Sequence, residues 1–317
     1  MTAGVINIYK GKGYTSFHVV AVLKRLLGEK KIGHTGTLDP DATGVLPVCV
    51  GKATKLVGEL TDTDKSYRAV MLLGRSTTTQ DISGDTIESM EPEMVRRVVS
   101  EDLIRRAFES FTGTIFQIPP MYSALKVGGV KLVDAARRGI EVEREARKVV
   151  VYGYSDININ LDELEISFCV DCSKGTYIRT ICEDIGRFIG VPACMKELER
   201  VRAAGLGLEG AITLEEAEIF AGEGTLAEHI IPTDRFLSDY PYIVVNDEAL
   251  KYLQFGNYMY ENNLSADQNC LEGLVPGTPC GAMRGTVCRV YSESGEFYAL
   301  YRYSDEECCY KCEKMFR

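Results

Sequence analysis

Residues 33–50 read Gly33-His-Thr-Gly-Thr-Leu-Asp39-Pro-Asp-Ala-Thr-Gly44-Val-Leu-Pro-Val-Cys-Val50. Pro40 pushes the backbone of Asp39 away from the helical region, and Gly36 and Gly44 permit unusual angles on either side. The segment is therefore a shaped loop feeding the apolar run Val45 to Val50, and it sets a carboxylate against a strand. By itself an Asp-Pro pair is more often only a turn. Upstream, Ser16 can cap a helix running to about Glu29, with Val19, Val20, Leu23, Leu26 and Leu27 as its apolar stripe. The local order is helix, loop, strand.

Further along, Tyr67 to Leu73 reads as a strand, Glu101 to Phe111 as a helix, and Leu164 to Cys172 as a strand followed by a Lys174-Gly175 turn. Thr176 to Ile189 is helical in pattern, with Ile178, Ile181, Ile185 and Phe188 on one face. Thr213 and Glu216 have the spacing of a capping box. Strands and helices do not alternate as in a parallel sheet, so the expected class is α+β around a mixed or antiparallel central sheet. Near Ile231-Pro232 the character changes to Tyr-rich, acidic and strand-like, interrupted by a polar stretch from Glu261 to Gly281. The expected division is a large domain over 1–231 and a small β-rich domain over 232–317.

The composition, 45% hydrophobic and 26% charged, is that of a folded globular chain and argues against disorder. No stretch approaches the roughly 20 apolar residues of a membrane span, and Met1 to Lys12 lacks an apolar leader. A cytoplasmic chain without a membrane contact is expected, and its eleven cysteines are then mostly reduced thiols. Cys169/Cys172 and Cys309/Cys312 have Cys-x-x-Cys spacing, but the first pair lies in an alternating run that sends its side chains to opposite faces. The pairs are read as small buried hydrophobes, with no metal site. The formal net charge is −10, which at first opposes nucleic-acid binding. Its distribution reverses that: residues 1–58 carry eight Lys/Arg against three Asp/Glu, residues 123–148 seven against four, and residues 232–317 eight against thirteen. A basic face on an acidic body suits a structured polyanion.

Asp39 has few helpers nearby in sequence. Asp41 could form a carboxylate pair with it, but i, i+2 placement in a loop gives no assurance of a shared site. His34 is one of three histidines, and no serine or cysteine nucleophile motif accompanies it. Metal ligation by His34, Asp39 and Asp41 lacks further ligands.

The run from His34 to Lys55, HTGTLDPDATGVLPVCVGKATK, closely resembles the signature of TruB-type tRNA pseudouridine(55) synthases. Lys65-Ser-Tyr67 is similar to that family's Lys-x-Tyr motif, Pro119-Pro-Met-Tyr-Ser-Ala-Leu-Lys126 to its Pro-rich element, and Lys174-Gly-Thr-Tyr177-Ile-Arg179 to its Tyr-Ile-Arg motif. Leu198-Glu-Arg200 fits the usual Leu-Arg-Arg position, with Glu199 in place of a frequent Arg, and Val201 to Gly210 follows the family loosely. The motifs keep the family's order over about residues 1 to 215.

The resemblance implies a pseudouridine-synthase catalytic domain followed by a PUA-like β-domain. It makes Asp39 the nucleophile, Arg179 its ionic partner, and Tyr67 the stacking partner of a flipped uracil and a candidate for proton transfer. Tyr177 and Leu198 would line the pocket, His34 would fill the space left by the flipped nucleotide, and Lys65 and Lys126 would contact substrate. Lys131, Arg137 and Arg138 are further candidates for backbone contacts. The implied substrate is the T arm of tRNA and the implied product a carbon-linked uridine isomer, with no cofactor. A stand-alone monomer is expected, since a guide-RNA-dependent subunit would carry a long N-terminal extension and a lysine-rich tail. A non-catalytic RNA-binding or RNA-folding module is the other alternative.

Overall fold

The computed structural model of the chain describes residues 3–271 and 285–317. Twelve strands and four helices carry the description. They are β1 (Gly4–Lys10), α1 (Ser16–Leu27), β2 (Thr43–Val50), β3 (Lys65–Leu73), α2 (Glu101–Ser110), β4 (Gly113–Gln117), β5 (Arg147–Asn160), β6 (Glu165–Cys172), α3 (Ile178–Ile189), β7 (Ala193–Ala203), α4 (Leu214–Glu223), β8 (Ile230–Pro232), β9 (Tyr242–Val245), β10 (Val287–Ser292), β11 (Phe297–Ser304) and β12 (Cys309–Met315).

The first eight strands form one sheet in the order β8-β1-β2-β7-β3-β6-β5-β4. Short strands at Ile32–His34 beside β2 and Leu206–Gly207 beside β7 bring it to ten. Along the order every pairing is antiparallel except β2 with β7, where Glu199 lies opposite Thr43 and Arg200 opposite Gly44. The class is the mixed α+β sheet expected. The one parallel junction matters for the site, because β7 also pairs β3 with Arg200 opposite Tyr67. The end of the Asp39 loop, Arg200 and Tyr67 are thereby set in neighbouring rows.

Helices α2 and α3 share a core with β3 and β6 built from Ile104, Phe108, Phe168, Ile181 and Ile185. Helices α1 and α4 share a second core with β1 and β2 through Val19, Leu23, Ile8, Leu46 and Ala217. Among the described residues, no helix is long and apolar enough to cross a membrane.

Two local expectations are corrected. The N-cap of α1 is Thr15, whose hydroxyl accepts from the His18 amide at 3.0 Å. Ser16 is the first helical residue, buried, with its hydroxyl turned to Leu38 instead. Phe188 is 47% exposed, while Ile189 takes the core position four residues after Ile185. At the fringe of the stripe Phe188 meets Phe111 edge-on, and Gly190 at φ 89° ends the helix. The capping box of Thr213 and Glu216 is present. Strand β7 had no sequence expectation at all.

The second sheet, β9-β10-β11-β12, has β9 parallel to β10 and its other pairings antiparallel. It is the small β-rich C-terminal unit expected, although residues 272–281 of the polar stretch lie outside the described residues. It meets the large sheet through an apolar cluster that includes Val5, Cys49, Leu56, Ala204, Leu237, Leu300 and Phe316.

Candidate active site

The loop between Ile32–His34 and β2 is fastened at several points. The Leu38 amide donates to Ser16 Oγ at 2.9 Å, and Ser16 Oγ donates to the Leu38 carbonyl at 3.3 Å. The Gly13 amide reaches the Pro40 carbonyl at 2.9 Å. Lys10, fully buried on β1, donates to the carbonyls of Gly11, Tyr14 and Pro40 at 3.0, 2.8 and 3.0 Å. These acceptors are neutral, so burial lowers the Lys10 ammonium to about 8, with Asp39 and Asp41 opposing the shift. Gly44, at φ 105°, is obligatory, since a Cβ there would lie 2.2 Å from the Arg200 carbonyl oxygen.

Asp39 projects from this loop to Arg179 in the first turn of α3. Arg179 Nε lies 3.1 Å from Asp39 Oδ2 and Nη2 lies 3.3 Å from Oδ1, a two-pronged grip. The guanidinium also donates to the Tyr122 carbonyl at 2.8 Å and the Thr79 carbonyl at 3.0 Å, and stands 3.6 Å from Asp81 Oδ2. Its side chain is only 6% exposed, against 38% for Asp39. Burial raises the Asp39 carboxyl above its ordinary range, Arg179 opposes the rise, and Asp81 adds to it. The result is a carboxylate oriented from one side by a buried guanidinium and open to the cavities on the other.

A cavity of about 660 Å³ opens on one side of this pair, lined by Asp39, Lys65, Tyr67, Tyr177, Arg179 and Leu198 among others. Tyr67 is 8% exposed, and desolvation raises its hydroxyl while neighbouring Arg200 opposes. Arg200, 1% exposed, is spent on the carbonyls of Val45 and Gly36 at 2.8 and 3.2 Å. Lys65 gives its ammonium to the carbonyls of Thr61 and Thr63 at 2.9 and 2.6 Å, and burial lowers it to about 8. Tyr177, the residue before α3, exchanges two backbone bonds with the buried Gln117 side chain at 3.0 and 3.1 Å. Across Asp39 and Arg179 lies a smaller cavity of about 340 Å³, bounded by Asp41, Asp81, Tyr122, Met195 and Leu198.

Asp39, Tyr67, Arg179, Tyr177, Leu198 and Lys65, separated by up to 159 positions in sequence, therefore surround one cavity. His34 and Lys126 lie outside its lining. His34 is half-buried, accepts from the Gly36 amide at 3.3 Å, and meets Phe17 edge-on. Lys126 is exposed on a hairpin with Val130–Lys131. Sequence reasoning passed over Asp81 and Lys10. Asp81 sits in the polar run Arg75 to Gly84, which reads as surface loop; its 18% exposure and contact with Arg179 appear only when the chain folds. Lys10 had a signal, a lysine ending an apolar strand, but its partners are backbone carbonyls.

The sheet and cleft define a class, the pseudouridine-synthase fold. The chain superposes on the protein of an H/ACA RNP bound to a substrate RNA containing 2'-deoxyuridine, with a TM-score of 0.64 and 27% identity over 99% of this chain and 85% of the other. A Cbf5-Nop10-Gar1 complex gives the same TM-score at 28% identity, again over 99% and 85%. Within that class the chain belongs to the TruB family of pseudouridylate synthases, whose N-terminal domain matches residues 24–178. The tRNA pseudouridylate synthase B C-terminal domain matches residues 179–238. It is 40% identical to tRNA pseudouridine synthase B of Clostridium perfringens, covering 98% of each chain, and 42% identical to the Lachnoclostridium phytofermentans protein of that name, covering 99% of each.

Proposed function

We propose that the chain isomerises the T-loop uridine of tRNA to pseudouridine, with Asp39 as nucleophile. The observation that carries this reading is the two-pronged grip of buried Arg179 on Asp39 at the wall of the cavity that also holds Tyr67. A stacked uridine exposes neither face of its base, so the nucleotide is flipped into the cavity at a cost of a few kcal/mol. Stacking on Tyr67 returns ~1–3 kcal/mol, and Tyr177 and Leu198 close the walls. Asp39, oriented by Arg179, adds as the carboxylate to C6 of the uracil or to C1' of the ribose as the bond from N1 to C1' breaks. The freed base turns and C5 bonds to C1', the bond from Asp39 to C1' breaking as it does so, or the bond from Asp39 to C6 breaking afterwards on the other route. The C5 proton leaves, N1 gains a proton and the Asp39 carboxylate is regenerated. Tyr67 is suited to proton transfer by its position in the cavity. No electrons are gained or lost and no group enters, so the reaction needs no cofactor.

The names and near-complete coverage of the tRNA pseudouridine synthase B relatives support tRNA as substrate, and their 40% identity exceeds the 27–28% to the RNP proteins. On this reading the enzyme works as a monomer in the cytoplasm without an obligate protein partner. Residues 1–231 form its catalytic domain and residues 232–317 a PUA-like domain. His34 fills the gap in the T loop, while Lys126, Lys131, Arg137 and Arg138 meet the RNA backbone.

The test mixes purified protein with a T-arm stem-loop RNA tritiated at uridine C5. Tritium release by the wild type and none by Asp39→Asn is the expected result. Release only when a guide RNA is supplied would transfer the chain to the guide-dependent branch, and RNA binding without release under any condition would make it a binding module.

A further inference from the structure

We propose that the exposed face of α1 is a second contact surface for the substrate RNA, where Phe17 stacks an unpaired base and Lys24 holds a backbone phosphate; the inference rests on the synthase reading. Phe17 is 70% exposed at the second position of α1. It is no displaced core residue, because the apolar stripe of the helix, Val19, Val20, Leu23 and Leu27, is buried elsewhere on it. Its ring meets the His34 ring edge-on, with centroids 5.5 Å apart and planes at 86°. That contact joins it to the Asp39 loop, and the Ser16–Leu38 and Gly13–Pro40 hydrogen bonds fix the start of α1 to the same loop. Phe17 therefore stands at a set position relative to the reacting carboxylate.

Ala21 and Lys24 follow Phe17 at i+4 and i+7, on the same side of a helix that turns about 100° per residue. Both are exposed. The span from Phe17 to Lys24 is about 10 Å of helix, or about three steps of a stacked strand at ~3.4 Å each. Small Ala21 leaves the track between them open. Arg25, the neighbouring cation, is committed to Glu218 at 2.8 Å, whereas Lys24 has no ion pair among the described residues. The charge pattern selects the occupant. Of the eight cations in residues 1–58, Lys10 is buried, Arg25 is paired and Lys52 and Lys55 reach the C-terminal unit, which leaves exposed Lys12, Lys24, Lys30 and Lys31 on and beside α1 to attract a polyanion; an exposed aromatic ring beside such cations is how proteins hold unpaired bases.

The experiment measures retention of the T-arm stem-loop on filters, together with tritium-release kinetics, for wild type, Phe17→Ala, Phe17→Tyr and Lys24→Gln. Phe17→Ala is expected to weaken retention and raise KM about tenfold with kcat kept, and Phe17→Tyr to restore both. Lys24→Gln is expected to lower the slope of log affinity against log salt by about one. Wild-type conversion with unchanged KM in Phe17→Ala overturns the proposal. So does a fall in kcat and melting temperature without a change in retention, which would make Phe17 structural. A wild type that neither binds nor converts the RNA sinks the synthase reading itself, a pattern distinct from a silent Phe17→Ala.

Discussion

The Asp39 carboxyl lies above its ordinary range because burial outweighs the Arg179 guanidinium. The folded protein then holds that proton more tightly than the unfolded chain, so this group favours folding at acid pH. It loses that contribution as pH rises from the ordinary carboxylate range through the raised value. On the proposed nucleophile reading, the ionised carboxylate at neutral pH is a cost kept for chemistry. Asp39→Asn is accordingly expected to end tritium release while leaving the melting temperature at pH 7 unchanged or higher. The difference from wild type should shrink near pH 4. Thermal melts at the two pH values decide it; a variant that melts lower at pH 7 but not at pH 4 would show the ion pair outweighing burial.

Arg179 depends on an element that local sequence does not reveal. The loop before Ile82 carries Gln80 at φ 63°, a conformation that costs a non-glycine residue about 1–3 kcal/mol. It is held by two residues of α3: Thr180 Oγ1 donates to Gln80 Oε1 at 2.9 Å, and Gln80 Nε2 donates to Glu183. The flanking residues Thr79 and Asp81 are the ones that meet Arg179 on the same helix. Gln80→Ala should lower kcat about tenfold or more with RNA binding unchanged, since small displacements of catalytic groups are expensive. Gln80→Gly should recover stability in urea unfolding without recovering the rate, and recovery of both would mean that backbone strain alone was at issue. Elements with strong periodicity were legible in the sequence: α1, α3, β2 and β6 are where apolar spacing put them, within two residues at most ends. Strand β7 was not, because Lys196, Glu197, Glu199, Arg200 and Arg202 interrupt its apolar positions, and several of these are tied up by Glu165, Arg68, Val45 and Asp171 only after folding. The Asp39 segment was legible as a shaped loop, but the roles proposed for Asp39, Tyr67 and Arg179 come from the resemblance, because no local pattern distinguishes them from a turn aspartate, a strand tyrosine and a helix arginine.

Across the whole molecule, the two units share one apolar cluster, with Leu300 of the C-terminal sheet and Phe316 just after it against Val5 and Cys49 of the large sheet and Leu56 in the turn after β2. The Lys55 ammonium also reaches the Met315 carbonyl at 2.7 Å. A chain ending at Leu237 would expose that cluster, so it should melt several degrees lower than the full chain and bind a hydrophobic dye. An unchanged melting temperature would show that the large sheet is self-sufficient. At this scale too, the Arg179 guanidinium touches Asp39, Thr79, Asp81 and Tyr122, four positions spread over more than eighty residues of chain. Thr79 and Tyr122 reach it through backbone carbonyls that survive substitution, whereas Asp39 and Asp81 reach it through carboxylates, so the effects of changing the two acids will not add. A change tolerated at one acid becomes conditional on what stands at the other, and descendants of this sequence can alter the pair only in a restricted order.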